Sequence, residues 1–136
     1  MVRLIIGLKG SGKTKQLIEM TNSAVDSTRG NVVCVEKGDK LRHEIRREVR
    51  LIDTDLYGLK GASELFGMVS GILASNYDVK DLFIDSSLKI CGDDMVAFVA
   101  LIRRLDELCA KLEVNCVTTV SIAPESFPEE LSPYLF

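Results

Sequence analysis

A chain of 136 residues that is 46% hydrophobic has room for one compact domain with its own core and none for a second. A net charge of −3 argues against a broadly basic nucleic-acid-binding protein or a membrane-surface protein, and no apolar run approaches the length of a bilayer span. The expectation is a single cytoplasmic domain over 1–136, since Met1 leads straight into a predicted strand with no room for a secretory signal.

That strand is Val2–Ile6, a mostly apolar run that ends at a glycine. The octapeptide Gly7-Leu8-Lys9-Gly10-Ser11-Gly12-Lys13-Thr14 follows and fits G-x-x-x-x-G-K-[ST], the phosphate-binding loop pattern. A helix from Lys13 to Val25 comes next, with Leu17, Ile18, Met20, Ala24 and Val25 at broadly helical spacing. Strand, loop and helix thus stand in the order that a phosphate cradle needs. Wrapping a polyphosphate in backbone N–H groups requires a chain without bulky side chains that can visit positive φ, which explains Gly7, Gly10 and Gly12. The first helical turn, including Lys15, adds unpaired N–H groups and its dipole. Lys13 is expected on the β and γ phosphates, and the Thr14 hydroxyl on Mg²⁺.

Thr28 to Asn31 makes a turn, and Val32–Val35 reads as a buried strand ending at Glu36. The charged stretch Lys40 to Arg47 is expected as a short helix with a thin apolar stripe through Leu41 and Ile45. Val49–Ile52 is a third strand closing at Asp53, and loop residues follow to Gly61. Ser63 and Glu64 open a helix whose Leu65, Met68, Val69, Ile72 and Leu73 share a face. Val79–Asp85 is the next strand. Asp93 or Asp94 caps a long helix with a core-facing stripe from Met95 to Leu112, and Cys116–Val120 is the fifth strand. The tail, 123–136, holds all three prolines and is expected to be extended, with an apolar end that docks on its own domain or on a neighbouring subunit. A homo-oligomer or a protein partner held through this tail is therefore in view.

The four cysteines form no C-x-x-C pair, and the single His43 is remote from them, so a zinc site has little support. Cys34, Cys109 and Cys116 read as buried hydrophobes, whereas Cys91 falls in a loop where exposure is open. Arg42, Arg46, Arg47 and Arg50, with Lys37 and Lys40 before them, form the densest basic group. They stand as a phosphate clamp, an arginine finger or an RNA contact, but the interspersed Glu44 and Glu48 favour a solvated mixed-charge face. No aromatic residues interleave with them, so nucleic acid is not an expected partner.

Strands alternating with helices imply an α/β fold, a three-layer α/β/α sandwich around a mainly parallel five-stranded sheet. Ligands of such sheets bind beyond the carboxyl ends of the strands. Gly7, Glu36, Asp53, Asp85 and either Thr119 or Ser121 should line that edge. Asp85, closing an apolar strand downstream of the glycine-rich loop, has the form of a Walker-B aspartate that orients Mg²⁺ through its water shell.

With these residues the chain resembles the P-loop NTPase superfamily, in particular its RecA-like branch, from Val2 to about Val120. The specific matches are Gly7 to Thr14 and Asp85. The resemblance implies the P-loop NTPase fold, with ATP and Mg²⁺ as ligands; the lack of an Asn-Lys-x-Asp guanine motif makes ATP the default. Many members carry a glutamate directly after the Walker-B aspartate, and here that position is Ser86. RecA-like recombinases and pilus-retraction ATPases can instead carry a catalytic glutamate at the end of the strand after the first helix, and Val33-Cys34-Val35-Glu36 looks similar. The resemblance thus implies slow ATP hydrolysis with Lys13 and Glu36 as catalytic groups, with any arginine finger coming across a subunit interface. Ser11 to Ile18 also looks like the corresponding stretch of RecA-like thymidine kinases, but the Asp-Glu pair and zinc-bearing lasso of those enzymes are missing. A nucleotide-binding module with little turnover, and a small-acceptor phosphotransferase, remain as alternatives.

Overall fold

The structure is a computed structural model that describes every residue from Met1 to Phe136. Five strands, β1 (Val2–Gly7), β2 (Asn31–Glu36), β3 (Arg50–Asp53), β4 (Val79–Ile84) and β5 (Asn115–Ser121), form one all-parallel sheet in the order β1-β5-β4-β2-β3. The helices α1 (Lys13–Ser27), α2 (Ala62–Ser75), α3 (Ser87–Ile90) and α4 (Met95–Leu112) connect them. The α/β class with a five-stranded parallel sheet is therefore as expected.

Burial on both faces explains the apolar runs Val32–Val35 of β2 and Leu82–Ile84 of β4, and the buried Cys116–Val120 of β5. On one face Leu17 and Ala24 of α1 pack with Ile5, Cys34, Phe83 and Val117. On the other, Leu65 and Val69 of α2 and Phe98, Ile102 and Leu105 of α4 pack with Leu4, Val35, Leu82 and Ile84. Side chains alternate along each strand, so Ile5, Cys34, Phe83 and Val117 fix the parity of the α1 face. Two residues further on, Gly7, Glu36, Asp85 and Thr119 share that face at the carboxyl edge of the sheet. All four stand beside the start of α1.

Four expectations need correction. Lys40 to Arg47 forms turns and not a helix, because side chains elsewhere take over its backbone groups. The Glu36 carboxylate accepts the N–H groups of Lys40 and Leu41, and the Asn22 amide bonds both Glu44 O and Arg46 N. Leu41 and Ile45 are still buried, as the stripe required. Second, the stretch after Asp53 begins with a 3-10 turn, Thr54–Tyr57, which the Asp53 side chain caps. Third, α3 occupies what read as loop, and it carries Cys91 into the core with Leu88 and Ile90. Burial pushes the Cys91 thiol up to about 11, which leaves it protonated and unreactive.

Fourth, the tail is not extended. It holds two 3-10 turns, Pro124–Ser126 and Glu129–Tyr134, and it docks on its own chain. Leu131 is fully buried, Leu135 bridges Leu4 in parallel, and the Phe136 N–H reaches Leu4 O at 3.4 Å. The tail so covers the outer edge of β1.

Candidate functional site

The loop from Gly7 to Thr14 is shaped by its own sequence. Gly10 and Gly12 have φ of 84° and 89°, values that a side chain disfavours. Gly7 is fixed by close approach, since a Cβ there would collide with the Ser11 hydroxyl. The Ser11 N–H donates to Leu8 O at 3.1 Å and closes the turn. The N–H groups of Gly10, Gly12, Lys13, Thr14 and Lys15 donate to no acceptor in the protein. Five backbone donors are thus left free around the start of α1, together with the positive end of its dipole. The Lys13 side chain is buried, and its ammonium donates to Leu8 O at 3.1 Å, so a positive charge lies over the loop. This is a cradle for an anion.

Two strands contribute to the same place. The Thr14 hydroxyl donates to Asp85, 3.2 Å from Oδ1 and 3.5 Å from Oδ2. Thr119 at the end of β5, the strand between β1 and β4, donates to Asp85 Oδ1 at 2.7 Å. The Ser86 N–H donates to Thr119 Oγ1, also at 2.7 Å, and the Ser87 hydroxyl donates to Thr119 O. Ser86 has φ 58°, a left-handed conformation that turns the chain out of β4 immediately after the carboxylate. Asp85 is also anchored from below, as its N–H donates to Val35 O at 2.8 Å.

Glu36 reaches this edge on β2, next to β4, yet its carboxylate is engaged. Oε1 accepts the Lys40 N–H at 3.2 Å and Oε2 the Leu41 N–H at 3.0 Å. Burial raises its pKa, an effect that the two backbone donors oppose and the charges of Asp85 and Asp53 reinforce. Asp85 and Glu36 in turn add to burial in pushing the Cys34 thiol up to about 12. Asp53 is placed at the far end of the edge, where Oδ1 takes the N–H groups of Gly38 and Asp55. Ser121 pairs with Gly7 and is exposed.

The structure therefore brings Gly7, Lys13, Thr14, Asp85 and Thr119 together, with Glu36 beside them. It does not bring the arginines to the loop; Arg42 and Arg50 line a separate cleft that Glu36 and Asp53 border. Arg50 opens β3, at the opposite sheet edge from β1, and four strand spacings amount to about 19 Å. The sequence marks Ser86 only as the place where many P-loop proteins carry a glutamate and does not single out Ser87; that both buttress Thr119 is visible only in the structure. The chain matches no protein-family model and no curated protein, so the chemistry of the site rests on its own geometry.

Thr14 and Asp85 offer a hydroxyl and a carboxylate, hard oxygen donors that suit Mg²⁺. No group of three or more His, Cys, Asp or Glu residues converges anywhere in the chain. A cation here would draw its remaining ligands from water and phosphate oxygens, which is how Mg²⁺ is ordinarily held in nucleotide sites.

Proposed function

We propose that the chain is a Mg²⁺-dependent ATP-binding domain of the P-loop NTPase type that hydrolyses ATP slowly. The observation that carries this reading is the Thr14–Asp85 hydrogen bond, which joins the end of the glycine-rich loop to a carboxylate 71 residues away. In this reading the free N–H groups of the loop and of the first turn of α1 hold the phosphates, and Lys13 turns from Leu8 O to the β and γ oxygens. Thr14 and Asp85 hold the metal. Mg²⁺, when bound, supplies charge neutralisation at the phosphate oxygens. Thr119 keeps Asp85 in one orientation, so that little reorganisation is needed when the ligand arrives.

The state of Glu36 sets the rate. It is the carboxylate available to orient an attacking water, but it also holds the Lys40 and Leu41 N–H groups. Each oxygen keeps a further lone pair, so turnover is slow rather than abolished. The same bonds favour a second reading, in which the domain binds ATP with negligible turnover and passes its state to the segment after β2.

Incubating the protein with stoichiometric Mg-ATP, denaturing it and separating the nucleotide by chromatography tests both readings, with Lys13→Ala as the control. ADP formed by wild type alone establishes hydrolysis. Intact ATP retained by wild type and lost by Lys13→Ala establishes the binding module. No retention by either protein removes both readings.

A further inference from the structure

The segment that joins β2 to β3, 37–49, has neither helix nor strand of its own, yet it is tied down at two points. Near its start the Glu36 carboxylate accepts the Lys40 and Leu41 N–H groups, one on each oxygen, at 3.2 and 3.0 Å. Further on, the Asn22 amide of α1 donates to Glu44 O and accepts the Arg46 N–H, both at 2.9 Å. The Arg46 guanidinium pairs with Asp26, one turn further along α1, at 2.8 Å. Between the two points Leu41 and Ile45 are buried in the same core as Leu17 of α1.

Both tethers lead to elements of the nucleotide site. α1 begins at the end of the glycine-rich loop. Glu36 ends β2 beside Asp85, the residue after β4, because Val35 and Ile84 are partners in the preceding register step. A carboxylate whose two oxygens each accept a backbone N–H is held in one orientation. The donors also favour its charged form, which makes it a weaker base toward a water proton.

We propose that 37–49 is an inhibitory strap, which restrains Glu36 through the Lys40 and Leu41 N–H groups, and that ATP turnover rises when the strap lifts from that carboxylate. The proposal rests on the ATP reading above and supplies the cause of slow turnover. In the reaction the attacking water gives a proton to Glu36 while its oxygen bonds to the γ-phosphorus. The bond from that phosphorus to the β–γ bridging oxygen breaks, and ADP leaves with the electron pair. A Glu36 released from the two N–H groups can turn toward that water and take its proton more readily. The Asn22 and Asp26 contacts hold the far end of the strap on α1, so loosening them makes the near end easier to lift.

The test is single-turnover hydrolysis of Mg-ATP by the full chain, with retained nucleotide measured in the same samples. Lys40→Pro removes the N–H that Glu36 Oε1 accepts and should raise the rate by about tenfold or more. Lys40→Ala keeps that N–H and should match the wild type. Glu36→Gln added to Lys40→Pro should abolish the gain. Far-UV circular dichroism checks the fold of Lys40→Pro; where it does not fold, Asn22→Ala takes its place, with a gain in the same direction that Glu36→Gln again abolishes. A folded variant that retains ATP and turns it over no faster than the wild type overturns the strap alone. So does a gain that survives Glu36→Gln, or a Lys40→Ala as fast as Lys40→Pro, which would assign the effect to the lost charge. Failure of the wild type to retain nucleotide removes the ATP reading and the strap with it.

Discussion

The Thr119 hydroxyl stands 2.7 Å from Asp85 Oδ1 and 2.7 Å from the Ser86 N–H, so a single side chain on β5 holds both the carboxylate and the left-handed residue after it. The hydroxyl donates to the first and accepts from the second. Thr119→Val keeps the shape of the side chain and removes both bonds, leaving a part-buried N–H without a partner. The expected cost is about 1–3 kcal/mol in denaturant unfolding. Asp85 would then be held by Thr14 alone, and the Mg²⁺-dependent part of ATP binding should weaken, while binding measured in EDTA changes little. Thr119→Ser should restore both properties. A variant that loses stability but keeps its Mg²⁺ dependence would reduce Thr119 to a structural residue.

Gly7 offers a separate handle on the loop. A Cβ at this position overlaps the Ser11 hydroxyl and comes within 3.2 Å of Ser11 Cβ. Gly7→Ala should therefore push the loop away from β1, with an expected loss of about 1–3 kcal/mol and a weaker ATP complex. Ser11→Ala alone should be mild. Adding it to Gly7→Ala removes the overlapping oxygen and should recover part of the lost stability in thermal unfolding. Absence of any recovery would mean that the backbone, and not the Ser11 side chain, sets the limit.

Glu36 gives a pH signature whose sign follows from its environment. Burial raises its folded pKa above the ordinary value of 4.5, so the folded state holds the proton more tightly than the unfolded chain. Its contribution is fully present below 4.5 and is lost as pH rises through the raised folded value. Glu36→Gln does not titrate, and its amide can still accept one of the two backbone N–H groups. Relative to the wild type, the variant should therefore gain stability as pH rises across this window, measured by urea unfolding at a series of pH values. A stability difference that is flat with pH would remove the desolvation argument. In the ATP incubation the same variant should slow turnover and retain binding.

Much of this site was legible because its parts are local in sequence. Gly7 to Thr14 is a contiguous pattern, and Asp85 is marked by the apolar run before it, so both could be assigned to one sheet edge from strand periodicity alone. Glu36 was placed correctly at the end of β2, but nothing local reveals that its oxygens go to the Lys40 and Leu41 N–H groups. The helix expected over Lys40 to Arg47 fails for a similar reason: the Asn22 amide takes Glu44 O and the Arg46 N–H, groups that a helix would have paired within itself. The Ser86 turn was hidden for a similar reason, since a left-handed serine held by Thr119 has no signature in a single sequence. The neighbour order β1-β5-β4-β2-β3, which puts Thr119 between Gly7 and Asp85, depends on long-range packing that periodicity does not encode.

The tail provides the last prediction, because prolines suggested an extended segment where the chain instead builds a cover for β1. Leu131 is the anchor, with no exposed surface, and it sits in the same core as Leu4 and Val120. Beyond it, Arg3 lies over the Phe136 ring at 5.5 Å, and Arg103 pairs with Glu130 at 3.1 Å; both contacts are at the surface and contribute little. Leu131→Ala should cost about 2–5 kcal/mol, as expected for emptying a packed site. Arg103→Ala should cost less than about 1 kcal/mol. Freed of its anchor, the tail would expose Leu4 and the β1 edge, so Leu131→Ala should also speed exchange of the Phe136 amide and increase self-association in sedimentation velocity. A variant that unfolds at the wild-type denaturant concentration would mean that the tail lies on the domain without supporting it.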